Sequence, residues 1–160
     1  MAFNNPKELF VKMLSDVREY ESNLSTSFKE LRENVQDQDL KDTLDSLIFL
    51  RDKNVATLDQ CFKLTGQQPV KTEDTISNMF IENFRKEWTE IQSPFAKTLF
   101  AFTKITHLVN FRISEYMVLI AMSKKSEYRG IGLLLESILA PKIAFLEHSR
   151  RKIRDYVEKE

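Results

Sequence analysis

Several side chains with chemistry to offer occupy positions that helical spacing reserves for apolar ones. Phe10, Leu14, Val17, Glu21, Leu24, Phe28 and Leu31 recur at alternating intervals of four and three, the face of one helix with a carboxylate at its centre. A second such stripe, Leu40, Leu44, Leu47, Arg51, Asn54, Leu58 and Cys61, carries a guanidinium and an amide. A third, Phe95, Leu99, Phe102, Thr106, Val109, Ile113, Tyr116 and Ile120, includes a hydroxyl, and Asn110 adjoins it. Lys142 follows Pro141 inside the last apolar segment. A lone carboxylate is too costly to bury, so Glu21 must take up a proton through a raised pKa, bind a metal, or meet a cation.

Helical geometry says which of these residues can meet. With a rise of about 1.5 Å per residue and a turn near residue 36, Glu21 and Arg51 lie level on antiparallel helices. A turn near residue 125 brings Asn110 level with residues 140–142 in the same way. Glu21, Arg51, Asn54, Thr106, Asn110 and Lys142 are therefore expected in one middle layer. Arg51 offers a planar fork that matches a carboxylate, so a Glu21–Arg51 pair, joined by Asn54 or Lys142, is the favoured arrangement. The competing arrangement lets the stripe drift and Arg51 snorkel to solvent along its alkyl stem.

Other reactive types are poorly placed. His107 and His148 form no helical pair with a second acid and are expected at the rim. Glu115 lies near an apolar run, and Glu136 is expected to face water. Cys61, the one cysteine, is read as a small core residue. Neither a Ser-His-Asp set, a phosphate loop nor a dinucleotide fingerprint is present.

The elements that must position these residues are helices. Asn5 and Pro6 form a cap and first position for the first helix, and the polar "NVQDQD" (34–39) ends it. A second helix runs from about 39 to 65 and stops at Gly66, with Pro69 beyond. Residues 66–93 form a long crossover holding a short helix, 75–88, with Ile76, Met79, Phe80, Phe84 and Trp88 as its apolar side. Ser93 and Pro94 open a third long helix. The polar turn "SKKSEYRG" (123–130) leads to a fourth, about 131–157, which Pro141 is expected to kink or break. Such a kink would open a cleft near Ser137 for a small apolar ligand, lined by Phe102, Tyr116 and Phe145.

Four long helices with one long crossover describe a single all-α domain, 1–160, a ferritin-like four-helix bundle with a short extra helix between helices 2 and 3. Phe100, Leu108, Phe111, Val118 and Met122 give the third helix a second apolar side. Either the crossover covers it or it forms the interface of a homodimer.

Composition narrows the function. The 160 residues carry 24 basic and 24 acidic side chains, so no net charge draws the chain to nucleic acid. The basic "HSRRKIR" (148–154) suits the end of a helix, where cations meet the carbonyl end of the dipole. No apolar run approaches the ~20 residues of a membrane span, and no leader segment follows Met1, which makes the cytoplasm the expected compartment. Only three glycines and four prolines punctuate the chain, against the turn-rich β classes.

The stretches "LSDVREYESNL" (14–24) and "TLDQCFKLTGQQP" resemble the first two helices of the YciE/YciF-like ferritin-like proteins. "RISEYMVLI" and, some fifteen residues on, "LLLESILAPK" resemble the last two. The resemblance covers about residues 9–155. It implies a four-helix bundle, often dimeric, tied to bacterial stress responses, whose complete members have carboxylate and histidine positions suited to two metal ions.

Carried over residue by residue, Glu21 coincides with that family's first-helix glutamate. Its second-helix acidic pair falls on Phe49 and Leu50, and the following threonine on Arg51. The Glu-His-Tyr-Glu run of the third helix falls on Val109, Asn110, Phe111 and Arg112, and the acidic run after Glu136 on Leu139, Ala140 and Pro141. One surviving carboxylate cannot hold a di-iron pair. The expected function is a non-enzymatic, dimeric interaction or stress-associated module with no cofactor and Glu21 as a vestigial metal position. The alternative is a residual di-iron or manganese oxidase or iron-handling protein using Glu21 with His107 or Glu115.

Overall fold

The computed structural model describes residues 5–125 and 128–159, so two residues of the polar turn at 123–130 lie outside it. Six helices follow in order: α1 (Pro6–Asn34), α2 (Gln38–Thr65), α3 (Thr75–Glu90), α4 (Pro94–Asn110), α5 (Ile113–Lys124) and α6 (Arg129–Val157). Local chemistry sets most of their ends. The side chains of Asn5, Asp37, Asp74 and Ser93 accept the N–H groups of Glu8, Leu40, Ser77 and Ala96, satisfying amides that have no partner inside the helix. Gly66 closes α2 at φ 63°, a left-handed conformation that a Cβ would strain.

The long rods α1, α2, α6 and the α4–α5 pair form the bundle: α1 packs on α2 and α5, and α6 on α2, α4 and α5. Every stripe position of α1 and α2 is buried, Glu21, Arg51 and Asn54 included. The apolar core falls into two clusters. One holds Tyr20, Leu24, Phe28, Leu47, Phe102 and Ile105; the other holds Leu14, Val17, Leu58, Tyr116, Leu135 and Ile138. Along both α1 and α2 the polar stripe residues fall between the two.

Three sequence expectations change. The third long helix is two, because residues 111–112 form a turn and Arg112 leaves helical conformation at φ −107°, ψ 18°. Pro141, in contrast, sits inside a continuous α6 and does not break it. In α3 the buried side is Ser77, Ile81 and Phe84, while Ile76 and Met79 face solvent. The Asp74 cap and its ion pair to Arg112 set that rotation, turning Ser77 inward.

The second apolar side of α4 and α5 divides as well. Leu108 is buried and Phe100 stacks on Phe84 at 5.5 Å, so the crossover helix covers both. Met122 packs partly against the core. Phe111 and Val118 stay exposed. Phe102 and Tyr116 are buried in separate core clusters, and Phe145 lines a surface cleft with His148 and Lys152, so these three do not enclose one cavity beside Pro141.

Candidate functional site: a buried ionic cluster

The middle layer is built outward from Glu21. Its side chain is wholly buried, and both carboxylate oxygens are engaged from three other helices. Oε1 lies 2.5 Å from Lys142 Nζ and accepts the Tyr116 hydroxyl at 3.0 Å. Oε2 accepts Asn54 Nδ2 at 3.0 Å and lies 3.1 Å from Arg51 Nη1. The Arg51 contact is an ion pair without hydrogen-bond geometry, and both Nη1 and Nε of this buried guanidinium have no hydrogen-bond acceptor among the described residues. Lys142, not Arg51, is the closest cation.

Burial alone would push the Glu21 pKa up. Lys142 and Arg51, with the Asn54 bond, outweigh it and hold the carboxyl below its usual range, so the group is an anion at neutral pH. Burial lowers the Lys142 ammonium to about 8 despite the attraction of Glu21, and Arg51 pushes in the same direction. Tyr116 is raised well above 10, first by burial and then by the Glu21 charge, so its hydroxyl stays a donor. At neutral pH the three charged groups sum to one excess positive charge.

The turn at Phe111–Arg112 bears on that excess. It leaves the last carbonyls of α4 pointing into the layer, where the partial negative charge of a helix end gathers. The Tyr20 hydroxyl donates to the Leu108 carbonyl, and Lys142 Nζ reaches the Val109 carbonyl at 3.5 Å. Lys142 also lies 5.3 Å from the centre of the Tyr116 ring, a cation–π distance. A second node sits on the same turn. Arg112 pairs with Asp74 and Glu115, each at 2.8 Å, and its guanidinium faces the Tyr20 ring at 5.7 Å, so it ties the start of α3 to the turn.

Glu21, Arg51, Asn54 and Lys142 thus meet; Thr106 and Asn110 do not join them. Both bond back along their own helix, Thr106 to the Phe102 carbonyl at 2.7 Å and Asn110 to the Thr106 carbonyl at 2.8 Å, a habit of hydroxyl and amide side chains in helices. Tyr116 and Tyr20 are the members that the sequence reading did not place in this layer; it assigned Tyr116 to the cleft beside Pro141. Tyr116 occupies a stripe position and a hydroxyl in a core needs a partner, which was the available signal. Nothing marked Tyr20, one residue before Glu21. His107 and His148 are exposed, Glu136 is exposed and faces Lys124 at 3.6 Å, and Cys61 is buried in the core, its thiol pushed up to about 12.

A carboxylate with both oxygens engaged, flanked by an ammonium and a guanidinium, does not fit a two-metal centre. Incoming metal ions would meet two fixed positive charges and no second acid or imidazole. Among the described residues no group of three or more His, Cys, Asp or Glu side chains is arranged to hold a metal ion. Lys142, the one amine of the cluster, is wholly buried and engaged with Glu21, so the arrangement is suited to holding charge and fixing helix register. No described helix is long and apolar enough to cross a membrane.

Comparison with known proteins gives the fold its context. The model of a family described as a domain of unknown function, DUF892, matches residues 5–158. No curated protein matches. Among solved structures, the chain is similar to the Escherichia coli stress protein YciF, with 16% identity over 99% of this chain and 100% of that one and a TM-score of 0.90. It is also similar to YcfI, a putative structural protein from Rhodopseudomonas palustris, with 20% identity over 93% and 98% of the chains and a TM-score of 0.84. A protein from Xanthomonas campestris pv. campestris aligns at 14% identity over 97% and 98% with a TM-score of 0.73. At these identities the likeness establishes a shared helical-bundle fold.

Proposed function

The chain belongs to the DUF892 family, and from that premise we propose that it is a cytoplasmic, ferritin-like bundle without enzymatic activity. In it Arg51 and Lys142 take the place of the metal pair that the resemblance implies. The observation that carries this reading is the engagement of Glu21 by four protein groups, two of them cations, at 2.5–3.1 Å. A carboxylate so engaged is poorly suited to ligate a metal or act as a base, because Lys142, Tyr116 and Asn54 occupy its oxygens and two cations stabilise its charge.

What remains for such a bundle is to present surfaces. On the packed pair α5 and α6, Met117, Val118 and Leu133 are exposed, Leu133 at 71%, and Phe111 is exposed in the turn that precedes α5. We assign the homodimer contact to this patch, since an apolar area on a two-helix face suits an isologous interface. A stress-associated or structural role agrees with the names of the similar proteins from E. coli and R. palustris.

Two measurements test this. Aerobic addition of ferrous iron should give oxidation no faster than buffer, whereas catalysed oxidation that disappears in Glu21→Gln would favour an oxidase. Light scattering should return the mass of two chains, and Leu133→Glu should halve it. A monomeric wild type would refute the dimer.

A further inference from the structure

Away from the ionic cluster, the crossover helix sits over the bundle on struts. It buries only Ser77, Ile81 and Phe84. Ion pairs hold its edges, Arg85 to Glu30 at 2.6 Å and Glu87 to Lys104 at 3.1 Å. Beneath it lies a cavity of about 480 Å³, floored by Phe28, Leu31, Ile105 and Leu108 and roofed by Ile81 and Phe84. A second cavity, of about 560 Å³, shares Asn34, Trp88 and Lys97 with the first, so the two adjoin along the α1–α4 seam. Each lies within the size range of small-molecule sites.

Lys97 stands where the two meet. Its ammonium lies 4.9 Å over the Trp88 ring, and among the described residues no carboxylate is within ion-pair range of it. Arg85 is matched by Glu30, and Asp37 in the second cavity caps α2 through Leu40 N, so Lys97 is the cation at the mouth that makes no ion pair among the described residues. We infer that this cleft between α1, α3 and α4 binds a small amphiphilic monocarboxylate. Its apolar chain lies between Phe28 and Phe84, and its carboxylate rests on Lys97. A cationic amphiphile would meet Lys97 with like charge, and a neutral one would leave it unmatched. The site shares no residue with Glu21, Arg51, Asn54, Tyr116 or Lys142, so it goes beyond the reading above and stands or falls separately from it.

Titration calorimetry with hexanoate, octanoate, decanoate, decanol and decylamine, below micelle formation, tests the inference. Affinity should rise about four-fold per methylene through the acids, as each buried methylene adds its transfer free energy. Decanol and decylamine should bind about tenfold more weakly than decanoate, since each forgoes a charge-assisted contact. Lys97→Ala should reduce decanoate to the affinity of decanol, and Ser27→Phe, which fills the cavity from α1, should abolish binding. Unchanged circular dichroism would establish that both variants fold. Decanol matching decanoate, decylamine binding better, or no heat with any compound would overturn the inference.

Discussion

The charge count of the cluster makes a sharp prediction about which substitution hurts. Glu21, Arg51 and Lys142 are each at most 1% exposed and carry one negative and two positive charges. Glu21→Gln therefore leaves two buried cations facing an amide. Removing one side of a buried pair costs about 3–5 kcal/mol, because an uncompensated charge stays behind. Lys142→Met instead leaves Glu21 with Arg51, a neutral pair, and keeps an unbranched side chain of similar length. Its cost should stay below about 1.5 kcal/mol. The triple variant Glu21→Gln, Arg51→Met, Lys142→Met removes all three charges, while the glutamine carbonyl can still accept from Asn54 and its amide can donate to the Tyr116 hydroxyl. It should lie within about 2 kcal/mol of wild type, far from the sum of the single changes.

Urea unfolding followed by circular dichroism reads this directly. At pH 6, below the value of about 8 to which Lys142 is lowered, the ammonium keeps its charge. With a slope of about 2 kcal/mol per molar urea, the Glu21→Gln midpoint should fall by roughly 2 M and the Lys142→Met midpoint by well under 1 M. Equal losses for the two, or a triple variant as unstable as the sum of its parts, would refute the claim that charge balance organises this layer.

Three further outcomes follow from the same geometry. Folded Lys142 gives up its proton near pH 8, whereas the unfolded chain keeps it to about 10.5, so the unfolded state binds more protons between those values. The stability of wild type relative to Lys142→Met should accordingly rise with pH across that window, by at most about 1.4 kcal/mol per unit in paired urea titrations; a falling difference would contradict the shift. Because α6 runs unbroken through Pro141, Pro141→Ala should restore a backbone bond and stabilise by about 1–3 kcal/mol, seen as a higher melting temperature. Arg112→Ala should free Asp74 and speed amide exchange in residues 75–90 about 10- to 100-fold, leaving α1 and α2 protected; uniform loss of protection would deny Arg112 its local role.

The bundle was legible because α1 and α2 obey simple rules. Fourteen stripe positions keep one register across both helices, and caps such as Asn5, Ser93 and Gly66 carry their ends in their residue types. The meeting of Glu21 with Arg51 followed from counting outward from one turn. The same counting brought Asn110 level with residues 140–142, but it is the carbonyl of its neighbour Val109 that reaches Lys142. The Asn110 side chain turns back on its own helix instead. The break at Phe111–Arg112 was not legible, since neither glycine nor proline marks it; tertiary partners, the Tyr20 hydroxyl and the Asp74 carboxylate, accompany it. Pro141 misled for the complementary reason. A strong local breaker lies within a long, well-packed helix that continues around it.

If protein cations occupy the place of a metal pair, the purified protein should hold no metal of its own at Glu21. The protein should be purified from cells supplied with iron and manganese, without chelators, and analysed by elemental mass spectrometry beside Glu21→Gln prepared identically. Wild type should carry no more iron or manganese than the variant. Near-stoichiometric metal in wild type that disappears in Glu21→Gln would contradict it.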